Sequence, residues 1–187
     1  MKQLKSLLFA VAVTAVPSSA SAQSIGLFAD VGAINCNVNA SVGTPVTCYF
    51  VFRQLASTGI AGYAFRAHGL PAGWIAIADP CWPSPCIGDL FGSGVVGAWP
   101  ECHTNDVEFL FPLVLIAMTD QSDIELTIAP RLPLVNPAFD CPLVARCDAP
   151  TYTAECVTGS RSVINGTLPC TVGTHMRSWA EIKSLYE

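Results

Sequence analysis

Charge is scarce in this chain, and positive charge is scarcest. Its 187 residues include nine Lys and Arg against fourteen Asp and Glu, with three His. A net charge of −5 and the absence of any basic cluster exclude a polyanion such as nucleic acid as the natural ligand. Catalytic motifs are missing too. There is no G-x-S-x-G elbow, no H-E-x-x-H helix and no phosphate-cradling glycine loop, so the expectation is a non-enzyme without a cofactor. Long apolar runs are equally short in supply. Beyond residue 22 the strongest is FLFPLVLIAM at 109–118, half the roughly 20 apolar residues a membrane helix needs and interrupted by Pro112. No transmembrane segment is expected in the mature chain.

What is present begins with a leader. MKQLKSLLFAVAVTAVPSSASA carries Lys2 and Lys5, an apolar run over 7–16, and Ala20-Ser21-Ala22 in the A-x-A arrangement that signal peptidase accepts. The spacing predicts cleavage after Ala22 and a secreted, periplasmic or cell-surface product beginning at Gln23. Losing Lys2 and Lys5 takes nine basic residues to seven against fourteen acids, a net charge of −7. The expected organisation is a signal peptide at 1–22, one β-sandwich domain at 23–176, and a short terminal helix or tag at 177–187.

All nine cysteines lie after that cleavage site: Cys36, Cys48, Cys81, Cys86, Cys102, Cys141, Cys147, Cys156 and Cys170. Outside the cytoplasm thiols oxidise, so these are disulfide candidates. Their spacings (Cys81-x4-Cys86, Cys141-x5-Cys147, Cys147-x8-Cys156) are unlike the close pairs of zinc sites. ECHTND, with Glu101, Cys102, His103 and Asp106, is the one mixed cluster and reads as a polar loop; no metal is expected. A catalytic thiol needs a depressed pKa and a partner base, and no motif supplies either. Cys81 and Cys86 enclose WPSP, whose prolines favour a small ring; the other pairings stay open. Nine is odd, which leaves at least one cysteine unpaired or bonded to another chain. Cys48 is a candidate for the unpaired one, because Val46, Cys48, Phe50 and Phe52 share a face that alternation turns inward. An inter-sheet disulfide is the competing reading.

Strand patterns fill the rest. SIGLFAD (24–30), PVTCYFVFRQ (45–54), IAGYAFRAHGL (60–70), GWIAIAD (73–79) and SGVVGAW (93–99) come first. In the third, Tyr63, Phe65 and Ala67 oppose Arg66 and His68, the period-two signature of a half-buried strand. DVEFLFPLVLIAM (106–118) is almost continuously apolar and predicts a strand covered on both faces, with a bulge or edge position at Pro112. DIELTIAPRL (123–132) sets Ile124, Leu126 and Ile128 against Glu125 and Thr127. PLVARC, TYTAECV and RSVING follow, and Asn165-Gly166 is a hairpin signal where apolar runs flank it. The sum is an all-β sandwich or barrel. At 177–187, Trp179, Ile182 and Tyr186 recur at i, i+3 and i+7 with Ser178 to cap. That predicts a short amphipathic helix, docked on the sandwich or serving as a recognition tag for export or attachment.

Five stretches, IGLFAD after the leader, GIAGYAF, FDCPLVARCDAPTYTAECVTGS, SVING and SWAEIKSLY, together resemble a group of small exported, cysteine-rich proteins of uncultured bacterial lineages. The likeness runs over essentially the whole mature chain. It implies an immunoglobulin-like or cohesin-like β-sandwich stapled by disulfides, and it brings no catalytic or binding residue with it. True cohesins are not this rich in cysteine, which counts against a dockerin-type partner.

The leading expectation is therefore an exported structural or interaction protein whose partner is another surface or secreted protein. The alternative is a carbohydrate- or small-ligand-binding sandwich that stacks a polysaccharide on Trp74, Trp82 and Trp99; core or loop-anchoring roles are the plainer reading of those rings. TDQSD, holding Asp120 and Asp123, reads as a solvated turn and not as an acid pair or a calcium loop. The sequons at Asn39 and Asn165 are triplets common by chance and carry no weight.

Overall fold

The computed structural model describes residues 23–53, 58–79, 85–134, 139–147 and 152–166. The leader at 1–22 and the helix expected at 177–187 lie outside the described residues. Every regular element among those residues is a strand. One sheet holds β1 (Ser24–Phe28), β3 (Pro45–Arg53), β5 (Ile75–Ala78), β8 (Val107–Ile116) and β12 (Thr158–Gly159), ordered β12-β1-β3-β8-β5. The other contains β2 (Asn37–Val38), β4 (Ile60–His68), β6 (Cys86–Asp89), β7 (Gly94–His103), β9 (Ile124–Ala129), β10 (Leu143–Arg146), β11 (Thr153–Cys156) and β13 (Arg161–Ile164). Its order is β11-β10-β4-β9-β13-β2, and β7 also pairs with β4 and carries β6 beyond it.

The period-two patterns become the interior. Cys48, Phe50 and Phe52 on β3, Tyr63, Phe65 and Ala67 on β4, and Leu126 and Ile128 on β9 are buried in one core. Aromatic rings join the two sheets there. Phe50 lies 5.6 Å from Phe65 and 4.9 Å from Phe111, and Phe65 and Phe111 stack with centroids 6.1 Å apart. Such offset pairs add about 0.5–1.5 kcal/mol each beyond the area they bury. A second, smaller cluster sits on the opposite side of β3, where Val51 and Phe28 are covered by Ala33 and Cys36.

β8 departs from the expectation of two covered faces. Phe50 pairs with Phe111 and Val51 with Phe109, so Leu110 is an extra residue in the ladder. That bulge turns Leu110 and Phe111 inward together. After it the strand alternates, with Leu113 and Leu115 buried and Val114 and Ile116 only half buried. β5 pairs with β8 only from Leu113 onward, which leaves Pro112 past its end, where a missing N–H disrupts no ladder on that edge.

The last described stretch closes the sandwich by belonging to both sheets. Thr158 N donates to Gln23 O at 2.9 Å and Ser160 N to Ile25 O at 2.8 Å, while Ser160 O accepts from Ile128 N at 3.1 Å. Ser162 is buried and its Oγ donates to Leu27 O at 2.7 Å. Asn165 then stands in the left-handed region at φ 53°, and its side chain accepts from Ala40 N at 2.6 Å and donates to Ala40 O at 2.8 Å and Gln121 O at 3.1 Å. It serves here as a clamp between segments; any hairpin partner beyond Gly166 lies outside the described residues.

Phe65→Ala removes the ring through which the two sheets meet. The expected loss is about 3–5 kcal/mol, measured by denaturant unfolding with the disulfides intact.

Candidate functional site

The outer face of β4 is made of almost nothing. Gly62 and Ala64 alternate with the inward Tyr63 and Phe65 and so face outward. Register sets Gly62 beside Ala98 of β7 and Ala145 of β10, and Ala145 beside Ala154 of β11. One row along, Ala64 stands between Val96 and Leu143. Small side chains on four adjacent strands leave an open apolar trough of about 370 Å³ across the sheet. Its lining contains no charged, amide or imidazole side chain. Tyr152, 68% exposed, stands at its rim, and Ile87 of β6 extends the Val96 row outward.

Two glycines make this geometry possible. A Cβ on Gly62 would lie 2.9 Å from the carbonyl oxygen of Gly97, closer than real contacts allow. A Cβ on Gly97 would collide with the Tyr63 ring. With Gly97 bare, Tyr63 fits under β7 and packs on Trp99 with centroids 5.1 Å apart.

Disulfides hold the trough's outer wall. Cys102–Cys147 joins the end of β7 to the residue after β10, and Cys141–Cys156 joins the segment before β10 to the end of β11. β10 has four residues and is therefore pinned at both ends, since its own few ladder bonds are a weak hold for a strand near a sheet edge. Cys36 and Cys86 are disulfide-bonded as well. The small ring expected between Cys81 and Cys86 involves Cys81, which lies outside the described residues, as does Cys170. Cys48 is a free thiol, so the inter-sheet bond considered for it does not form. Its Sγ donates to Leu113 O at 3.3 Å, and burial pushes the thiol up to about 12. A group that stays protonated in the core is no nucleophile.

ECHTND is only half a loop: Glu101, Cys102 and His103 end β7, and the next three residues turn into β8. His103 Nδ1 lies 2.7 Å from Glu108 Oε1, Asn105 Nδ2 donates to Glu108 Oε2 at 2.8 Å, and the His103 ring rests on Trp99 at 4.7 Å. Glu108 thus braces a loop, and Cys102 is committed to its disulfide. Among the described residues no three His, Cys, Asp or Glu side chains converge to hold a metal ion. Two of the three tryptophans of the binding alternative take the plainer core role. Trp74 and Trp99 are buried, Trp74 with its Nε1 donating to Thr119 Oγ1 at 3.2 Å, and Trp82 lies outside the described residues. The Gly and Pro around them suggested loops, but both rings turn inward. Asp120 and Asp123 are exposed on the expected turn, with Asp123 at φ 54°. Sequence reasoning missed the trough altogether, and Tyr152 with it. The signal present was parity: Tyr152, Ala154 and Cys156 fall on one face of TYTAECV.

No family model matches the chain, and no curated protein matches it significantly. Solved structures match its fold. The seventh ScaB type I cohesin from Pseudobacteroides cellulosolvens aligns over 82% of this chain and 99% of its own, with a TM-score of 0.50 at 10% identity. The cohesin of the Coh-OlpC–Doc435 complex from Clostridium thermocellum aligns over 78% and 94%, with a TM-score of 0.49 at 10% identity. CaCohA2 from Clostridium acetobutylicum aligns over 80% and 95%, with a TM-score of 0.46 at 10% identity. The chain is a cohesin-like β-sandwich; at such identity the likeness is one of fold alone.

The two disulfides differ in the loops they close, with sequence separations of 45 and 15. Loop-closure entropy makes the Cys102→Ser/Cys147→Ser variant less stable by about 4 kcal/mol and the Cys141→Ser/Cys156→Ser variant by about 3 kcal/mol, in that order by chemical unfolding. Cys48 should resist maleimide at pH 8 in the folded protein and react on unfolding in guanidinium, read by peptide mass mapping. Its folded pKa stands above the unfolded value of 9.0, so between pH 9 and about 12 the unfolded chain loses this proton while the folded chain keeps it, and stability falls as pH rises.

Proposed function

We propose that the chain is an exported interaction protein, processed after Ala22 and oxidised outside the cytoplasm, that binds another surface or secreted protein through the trough over β4. The trough is the observation that carries this reading. A contiguous apolar depression on the face of a sheet, walled by disulfide-held strands, is a surface that association covers. The leader and the disulfides support export.

The chemistry of the floor selects the kind of partner. Alanine and glycine leave backbone close to the surface, so a segment with aliphatic or aromatic side chains can lie deep in the trough and displace water. A polysaccharide needs hydrogen-bonding side chains around its stacking ring, and beside Tyr152 the lining supplies almost none. The protein partner is therefore favoured over the sugar.

Ala98 is exposed on the trough floor, so Ala98→Arg fills the depression without touching the core. Chemical crosslinking on producing cells should give a defined adduct with the wild-type chain and none with Ala98→Arg, the unfolding midpoint being the same for both. An adduct that persists in the variant sinks the trough as the binding surface.

A further inference from the structure

Past the floor of the trough the outer face of β4 changes character. Gly62 and Ala64 are followed on the same face by Arg66, half buried, and His68, exposed. Arg66 is the next outward position after Ala64, about 7 Å along the strand, so its side chain stands at the end of the trough. A second arginine joins it there. Gly94 of β7 has no side chain, and a Cβ in its place would lie 2.9 Å from Arg66 Cβ and 3.0 Å from Arg131 Cγ. The two stems therefore meet over Gly94. Ala64 and Leu143, which line the trough, also line the narrow cleft that takes Arg131.

Both arginines are held in place. Arg66 Nε donates to Pro130 O at 3.1 Å, and Leu132 N donates to Ser93 O at 2.7 Å, which fastens the residues on either side of Arg131. Neither guanidinium is neutralised. Among the described residues Arg146 pairs with Glu155 and Arg161 with Glu125, but no carboxylate pairs with Arg66 or Arg131. Arg131 Nε is buried and makes no hydrogen bond. A half-buried cation with an unbonded N–H lacks the anion that would offset its desolvation. Two such cations side by side give a positive end to a trough whose lining is otherwise uncharged.

We propose that the trough takes a partner segment whose apolar side chains lie on Gly62, Ala98 and Ala145 and whose Asp or Glu carboxylate reaches Arg66 and Arg131. This rests on the trough being the binding surface. Charge complementarity is the argument, because a planar guanidinium matches a carboxylate through paired hydrogen bonds. Two arginines suit one carboxylate and are too few to hold a polyanion against a net charge of −5. The offset of about 7 Å between Ala64 and Arg66 is that of two residues in an extended segment, so the acid falls within about three positions of the nearest apolar anchor.

The test is selection of random dodecapeptides displayed on phage against the full, oxidised chain and its variants. The wild-type chain is expected to enrich an apolar run with Asp or Glu close beside it. Arg66→Gln and Arg131→Gln should keep the apolar run and lose the acid. Arg131 Nε makes no hydrogen bond, so Arg131→Gln reads the charge even where Arg66→Gln lowers the unfolding midpoint. For a synthetic peptide of the enriched sequence, fluorescence anisotropy should show affinity falling about tenfold on Arg131→Gln, and as much when the peptide's acid is changed to its amide. An apolar run without an acid, an acid that survives both arginine variants, or acidic peptides with no apolar run would each overturn this proposal while Ala98→Arg still abolished binding at the trough. Peptides that bind Ala98→Arg as well as the wild-type chain, or no enrichment at all, would overturn the trough and this inference together.

Discussion

The alternation along β4 is the constraint on which the rest of the structure depends. Tyr63, Phe65 and Ala67 face inward and meet Phe50, Phe52 and Phe111 from the opposite sheet. Because side chains alternate in a strand, the residues that flank them face out, and at the trough these are Gly62 and Ala64. One strand therefore joins the two sheets with its large residues and hollows the outer surface with its small ones. A slip of a single residue would bring glycine into the core and tyrosine into the trough, so packing and surface shape are locked to the same register.

That arrangement needs help at its margin. β10 and β11 are short and lie toward the end of their sheet, and hydrogen bonds alone hold such strands loosely. Cys102–Cys147 and Cys141–Cys156 attach them to β7 and to each other, so covalent bonds reinforce short ladders. The cross-strand ion pairs Arg146–Glu155 and Arg161–Glu125, both 3.2 Å, are partly exposed and contribute little by comparison. Cys48 shows the converse. It is fully buried in the core and behaves there as a small apolar side chain.

How much of this was legible follows from the range of each signal. The inward faces of β3, β4 and β9 were readable because apolar and polar residues alternate within single segments. β2, β6 and β12 were not, being two to four residues long and too short to show a period. Pro112 announced an irregularity, yet the bulge fell on Leu110, because the ladder with β3 shifts there. Trp74 and Trp99 follow the plainer reading as core side chains; neighbouring Gly and Pro describe the backbone and say nothing of which way a large ring turns.

The sequence by itself determined an all-β chain and most of the residues that form its interior, because each of these is written in local periodicity and composition. Tertiary structure alone decided that Cys102 pairs with Cys147 and Cys141 with Cys156, that Cys48 stays reduced, and that Gly62, Ala98, Ala145 and Ala154 share one floor. The physical reason is that these neighbours lie on different strands, some of them far apart along the chain. Small residues carry no signal of their own, and only the cross-strand register brings them together.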